Sequence, residues 1–315
     1  MSERQTGGKG RIPQPFIDVG IAFVLVGSIF LVMFSYTGNW PPLVVVESRS
    51  MQHSETDSQI GIMDTGDLTM VKTVSSVEGI TSYIAGMQEG YSTYGDYGDV
   101  VIYWRAGDQS RTPIIHRAVL YLVANGDSYS APELKNLVRG VDYDLDSASD
   151  SWEHITDDIR LHSYGYRGME LMVPVSSMLG YMQTHGLEPY DGFITKGDFN
   201  SAVDQILFHE WGPVKFEWIH GVATGEIPWF GVLKLYLTGS LPYDTPFNSI
   251  MFLWTSMALI AAIPIGGEAY IWWRERRTGL AEEVGKGTPG EKAENAIAPA
   301  ESMEPPSIEL HEERK

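Results

Sequence analysis

The candidate nucleophile in this chain is Ser50, whose hydroxyl directly follows a short apolar stretch. A serine attacks a carbonyl only when a base within hydrogen-bond reach takes its proton. Histidine, with a free pKa near neutrality, suits that task, and His116 lies on an apolar run with Arg117 beside it. A carboxylate can then hold the imidazole in the right tautomer. A desolvated, neutral lysine is the other base this chemistry accepts, and Lys72 and Lys196 are the candidates. Each residue also has a plainer reading. A serine after a strand is a turn residue, and a histidine on an apolar strand is a satisfied core or surface group. Lys72 and Lys196 read as solvated or turn-stabilising, Arg117 as half of a surface ion pair, and His53 as a surface residue. Spacing alone does not choose Ser50 over the other serines. The chain has no cysteine, which excludes thiol nucleophiles, thiolate metal sites and disulfides.

The elements that must position Ser50 begin in a membrane. No charged side chain occurs between Val19 and Val46, and residues 15–38 are long enough to cross a hydrocarbon core of ~30 Å as a helix. Asn39-Trp40-Pro41-Pro42 breaks that helix, and Leu43 to Val46 reads as a strand leading to Ser50. The stretch is long for a cleaved secretory signal and lacks a small-x-small site before Pro41, so a retained anchor is expected. Residues 245–267 form a second uncharged stretch, followed by Trp272-Trp273 and the basic stop Arg274, Arg276 and Arg277. The segment 1–14 is also basic on balance, with Arg4, Lys9 and Arg11 against Glu3. Short basic flanks stay cytoplasmic, so both termini are expected inside and the residues between the spans outside, at the cell membrane. Asp18 is expected at the inner interface, and 274–315 as a disordered cytoplasmic tail.

Between the spans the sequence predicts a mainly β domain over 43–237. Gly66-Asp67 and Gly98-Asp99 each open a turn followed by β-branched residues, Thr112 to Val123 and Val214 to Val222 read as further strands, and Phe193 to Asn200 reads as strand and turn. Residues 228–237 read as a helix in the core or at the membrane interface. An insertion at 125–186 is rich in Asp, Ser and Tyr and reads as a solvated acidic addition with one helix around 151–161. Its aspartates Asp142, Asp144, Asp146, Asp150, Asp157 and Asp158 raise the thought of a calcium loop, but an EF-hand's glycine and bidentate acid are absent. The whole chain carries 41 Asp and Glu against 22 Lys and Arg, a net charge of −19. Such a surface repels phosphate backbones, so nucleic acid is not an expected partner. It also predicts a halophile's protein, hydrated where salt screens self-repulsion.

Together, Ser50-Met51, Gly66-Asp67, Gly98 to Val101, Pro113 to Val119 with its His116-Arg117, and Thr195 to Asp204 resemble the motifs of type I signal peptidases. The nearer branch is the archaeal and endoplasmic-reticulum type. The order matches too: anchor, nucleophile close behind it, histidine motif, aspartate motif, and the late run Ile219 to Gly231. The resemblance implies a signal-peptidase-like β catalytic domain with transmembrane helices at both ends. It implies Ser50 as nucleophile, His116 as base in place of the bacterial lysine, Asp204 as an acid orienting or electrostatically supporting His116, and Asp198 as a second acid supporting the site, with the contact to the imidazole left open between the two. It implies no cofactor and no metal. It implies signal-peptide-bearing preproteins as substrates at the lipid bilayer, beside the protein-translocation machinery. The chain departs from the family at Arg49, where a glycine is usual, at Gln52-His53, where Glu-Pro is usual, and at Phe199, where asparagine is usual. A non-hydrolytic relative that binds peptides or scaffolds a surface complex is the alternative those departures support.

Overall fold

The computed structural model describes residues 14–146, 151–208 and 212–286. They belong to two units, one reaching to Met257 and one starting at Ala258. The first elements are α1 (Gln14–Thr37), β1 (Leu43–Val45), β2 (Leu68–Lys72), α2 (Tyr83–Glu89), β3 (Ser92–Thr93), β4 (Asp96–Tyr97) and β5 (Val100–Tyr103). Next come β6 (Ile114–Asn125), β7 (Ser128–Ser130), β8 (Tyr143–Leu145), β9 (Ile159–Tyr164), β10 (Met169–Val173) and α3 (Val175–His185). The last are β11 (Gly192–Lys196), α4 (Asp204–Leu207), β12 (Ile219–Ile227), α5 (Gly231–Thr238) and α6 (Phe247–Lys286).

α1 and α6 are each long and apolar enough to cross a membrane. Ser28 and Ser35 return their hydroxyls to the carbonyls of Val24 and Leu31 at 2.7 and 2.8 Å, so neither presents an unsatisfied donor to lipid. Gly38, at φ +67°, ends α1 in the left-handed conformation its missing Cβ allows, with its N–H on the Phe34 carbonyl at 2.8 Å. α6 runs on through Pro264 to Lys286, so 274–286 is helix rather than part of the expected tail. A helix already nucleated adds one hydrogen bond per residue fixed, and Leu280-Ala281-Glu282-Glu283 are good formers. The remainder of that expected tail, 287–315, lies outside the described residues, as does the expected N-terminal segment up to residue 13.

The main sheet is antiparallel with strand order β1-β2-β12-β5-β6-β11, and β7 pairs with the far end of β6. β1 is an edge strand. Both faces are covered. Val100 and Ile102 pack with Met51, Met63 and Val71, whereas Val101 and Tyr103 pack with Ala118, Phe193 and Val222. That two-sided burial is why β5 reads as an unbroken apolar run. The fold as a whole is mixed helix and sheet, with more helix than the sequence predicts. α3 shows why. Its first turn is capped by Asp158, whose Oδ1 accepts from the Ser176 N–H at 3.0 Å and its hydroxyl at 2.7 Å. A cap delivered from another segment leaves no local signature. The expected helix at 151–161 is absent. Ile155 pairs with Tyr129 and β9 starts at Ile159. The expected strand at 214–222 forms only from Ile219, because Phe216–Trp218 makes a tight helical turn and Val214 an isolated bridge to Phe193.

The insertion is also not a solvated addition. It supplies Tyr129, Leu134, Ile155, Ile159, Leu161, Tyr164, Leu171 and Val173 to the largest buried cluster, which closes over Val119, Leu120 and Leu122 of β6. Its acids mostly cap and pair: Asp142 accepts the Val138 N–H at 2.7 Å, Asp144 meets His162 at 3.1 Å, and Asp146 meets Arg160 at 3.5 Å. Among the described residues no cluster of three or more acids and histidines is arranged to hold a metal ion, and Asp150 lies outside them.

Candidate active site

Ser50 sits in a single helical turn, Arg49–Met51, just beyond β1. Met51 plugs the cluster of Val46, Met63, Val71 and Ile102, which fixes the turn from below. Arg49 lies in this right-handed turn and not in the left-handed region, so the arginine in a glycine's place does not strain the backbone. Gln52 is buried and ties the turn to the following loop, donating to the Ser54 carbonyl at 3.1 Å and accepting from Thr65 Oγ1 at 2.7 Å. The Ser50 carbonyl accepts the Phe199 N–H at 2.9 Å, which joins the turn to the segment after β11. The Ser50 hydroxyl lies 3.1 Å from the Ser48 hydroxyl.

β6 carries His116 and Arg117, and alternation along a strand sends neighbours to opposite faces. His116 Nδ1 lies 2.7 Å from Asp204 Oδ2. That oxygen also accepts from Tyr103 Oη at 2.8 Å and Thr195 Oγ1 at 2.6 Å. A bulge between Ile194 and Thr195 shifts the β11–β6 register and sets Thr195 opposite Ala118. His116 Nε2 faces Gly197. A Cβ on Gly197 would lie 2.8 Å from that nitrogen and 2.6 Å from the Ser50 carbonyl oxygen, so the missing methyl lets the imidazole and the Ser50 backbone come close. Among the described residues no hydrogen bond joins Ser50 Oγ to His116; the Ser50 hydroxyl is paired with Ser48. Catalytic hydrogen bonds often close only when substrate is bound.

Arg117 is fully buried, not a surface residue. Its Nε and Nη2 grip both oxygens of Asp198 at 2.8 and 2.6 Å, and Nη1 reaches the carbonyls of Thr93, Asp96, Tyr97 and Gly98. Burial pushes the Asp198 carboxyl up, but the Arg117 guanidinium overrides it and holds the acid well below the usual carboxylate range. Asp198 therefore touches Arg117 and not His116. Its second partner is His53, at 3.1 Å, which is partly buried and stacked on Tyr166 with ring centroids 3.9 Å apart. His53 is thus no surface residue either. Lys196 is buried; burial pulls its pKa down to about 8, and its ammonium donates to the Gly197 and Asp198 carbonyls at 2.9 and 3.1 Å. It braces the turn behind His116. Lys72 is exposed over the Tyr36 ring, away from these residues.

Tyr103, Thr195, Gly197 and Tyr166 complete the constellation without having been singled out from the sequence, and His53 joins it in place of the surface role expected for it. Gly197 and Thr195 flank Lys196 inside the quoted motif and were within reach. His53 and Tyr166 are 113 positions apart and meet only through the fold. Beside the free edge of β1 runs an apolar groove of about 860 Å³, lined by Leu43, Val45, Leu68, Pro113, Ile115 and Leu237. The arrangement can support general-base activation of a serine next to an extended apolar segment. No protein-family model matches the chain, and no curated protein and no solved structure matches it significantly.

Proposed function

We propose that this chain is a membrane-anchored serine endopeptidase of the signal-peptidase type, cutting signal peptides from preproteins at small-x-small sites. The observation that carries the proposal is the His116–Asp204 pair, with the second imidazole nitrogen aimed at the spot beside Ser50. A substrate strand adds to the free edge of β1 and lays its small apolar residues in the groove. Ser50 Oγ attacks the scissile carbonyl while His116 Nε2 takes its proton. Asp204 stabilises the imidazolium without itself being protonated. His116 returns the proton to the leaving amine, and water then hydrolyses the acyl-enzyme by the same relay. The Ser48 hydroxyl, 3.1 Å from Ser50 Oγ, stands where it can donate to the oxyanion. The basic flanks put both termini in the cytoplasm and the site at the outer face, in the plane where a membrane-inserted signal peptide presents its cut.

The test is cleavage of a preprotein by the full chain in high salt. The Ser50→Ala and His116→Ala variants should each lose cleavage by about 10³-fold or more, with circular dichroism unchanged. Normal cleavage by Ser50→Ala overturns the proposal. The second reading, a peptide-binding protein without hydrolysis, is favoured by the Ser48–Ser50 hydrogen bond. A serine-acylating probe that never labels Ser50 while peptide binding persists selects it.

A further inference from the structure

Phe199, Arg49, Arg167 and Asp244 meet beside Ser50, and the two arginines lie against the one Phe199 ring. The Arg49 guanidinium carbon lies 4.1 Å from the Phe199 centroid and that of Arg167 4.3 Å from the same centroid. Phe199 is itself fastened to the nucleophile turn by its N–H on the Ser50 carbonyl. A guanidinium stacked on a ring keeps its in-plane N–H groups available, and those suit an incoming carboxylate. Neither arginine is matched by an acid at hydrogen-bond distance. Arg49 has Asp244 at 3.8 Å, and Arg167 has the Phe199 carbonyl at 3.4 Å, the Tyr166 side chain beside it and no ion pair among the described residues. The neighbouring Asp198 is already neutralised by Arg117. Two like charges at one ring repel until an anion comes between them. The pair lines no part of the apolar groove at β1, which takes the residues before the cut.

We propose that Arg49 and Arg167 form a subsite for acidic side chains in the substrate segment that follows the scissile bond. This rests on the endopeptidase reading and names a specificity for that same site. Three preproteins differing only in the second and third residues after the cut, Asp-Asp, Asn-Asn and Lys-Lys, test it. The full chain should cleave the Asp-Asp substrate about three- to fivefold more efficiently than Asn-Asn, the range a screened ion pair supports, with the gap shrinking toward 1 M salt. Arg167→Glu should invert the order in favour of Lys-Lys, which a purely structural arginine would not do. The same segments, as fluorescent peptides spanning the cut, are titrated onto the Ser50→Ala variant and its Arg167→Glu derivative. Cleavage without charge preference, or a preference unchanged by Arg167→Glu, overturns the subsite and leaves the endopeptidase reading standing. Charge-dependent binding to a protein that cleaves nothing overturns the endopeptidase reading and keeps the subsite. No charge preference in either assay overturns the subsite.

Discussion

Asp198 and Asp204 are six positions apart, yet alternation along β6 hands them different partners. Asp204 receives the imidazole, and Asp198 receives the guanidinium next door. The motif made both acids legible in the sequence, but not their division, because that depends on which face each β6 side chain takes. Gly197 is the position where this geometry is least tolerant. A Cβ there would sit within 3 Å of the Ser50 carbonyl, Asn200 Nδ2 and His116 Nε2, two of them parts of the proposed machinery. Its backbone is not in the left-handed region, so alanine meets a spatial conflict and not a dihedral one. Gly197→Ala should therefore lower kcat/KM by about 100-fold through displacement of the nucleophile or base. Melting temperature should fall as well, because the closest conflict is with backbone that must shift, and full activity in this variant would refute the close approach at that point.

At the scale of elements, the loop from Gln52 to Gly66 is held by buried acids. Asp64 accepts the Gln59 N–H at 2.6 Å, while Asp67 accepts the N–H groups of Asp64 and Trp229, each at 2.8 Å. Glu226 of β12 accepts from Gly61, and both Glu226 and His53 act on the pair through charge. Burial raises Asp64 to about 6 and Asp67 to about 7 from a usual 3.8. The folded chain therefore binds more protons than the unfolded chain between about pH 4 and 7, and the stability tied to these groups is lost as pH rises through 6 and 7. Asp198 acts oppositely: its contribution is present above 3.8 and disappears only as the pH falls through its much lower folded value. Unfolding followed between pH 5 and 8 should thus show declining stability. Asp64→Asn keeps an acceptor for Gln59 but cannot ionise, and should reduce that decline by on the order of 1–2 kcal/mol. An equal decline in both proteins would dismiss the role of this acid. None of this was visible in the sequence, because the burial that shifts these acids comes from contacts with β12 and Trp229 far along the chain.

For the whole molecule, topology is the accessible question. The two spans and their basic flanks predict both termini inside and the sheet outside. The absence of native cysteine makes every introduced one a unique reporter. Asp127→Cys, at the exposed β6–β7 turn, should react with an impermeant maleimide on intact cells, whereas Ser2→Cys should react only after permeabilisation. The opposite pattern would invert the topology and separate the site from exported substrates. The insertion shows the reach of composition at this scale. Its aspartates suggest solvation, while its Tyr, Leu and Ile residues build the largest buried cluster, because alternating strands hide one face and charge the other.

The sequence by itself determined the spans, the order of the motifs and the candidates Ser50, His116, Asp198 and Asp204. The spans follow from hydropathy, and the candidates from the motif resemblance, neither of which needs a partner. Only the tertiary structure decided that Asp204 holds His116, that a buried Arg117 and a partly buried His53 both meet Asp198, and that Lys196 braces a turn instead of facing Ser50. It also decided that Arg49 and Arg167 share one phenyl ring. Each of these is a contact between segments far apart in the chain, and strand alternation, register bulges and the free space at Gly197 choose the partner.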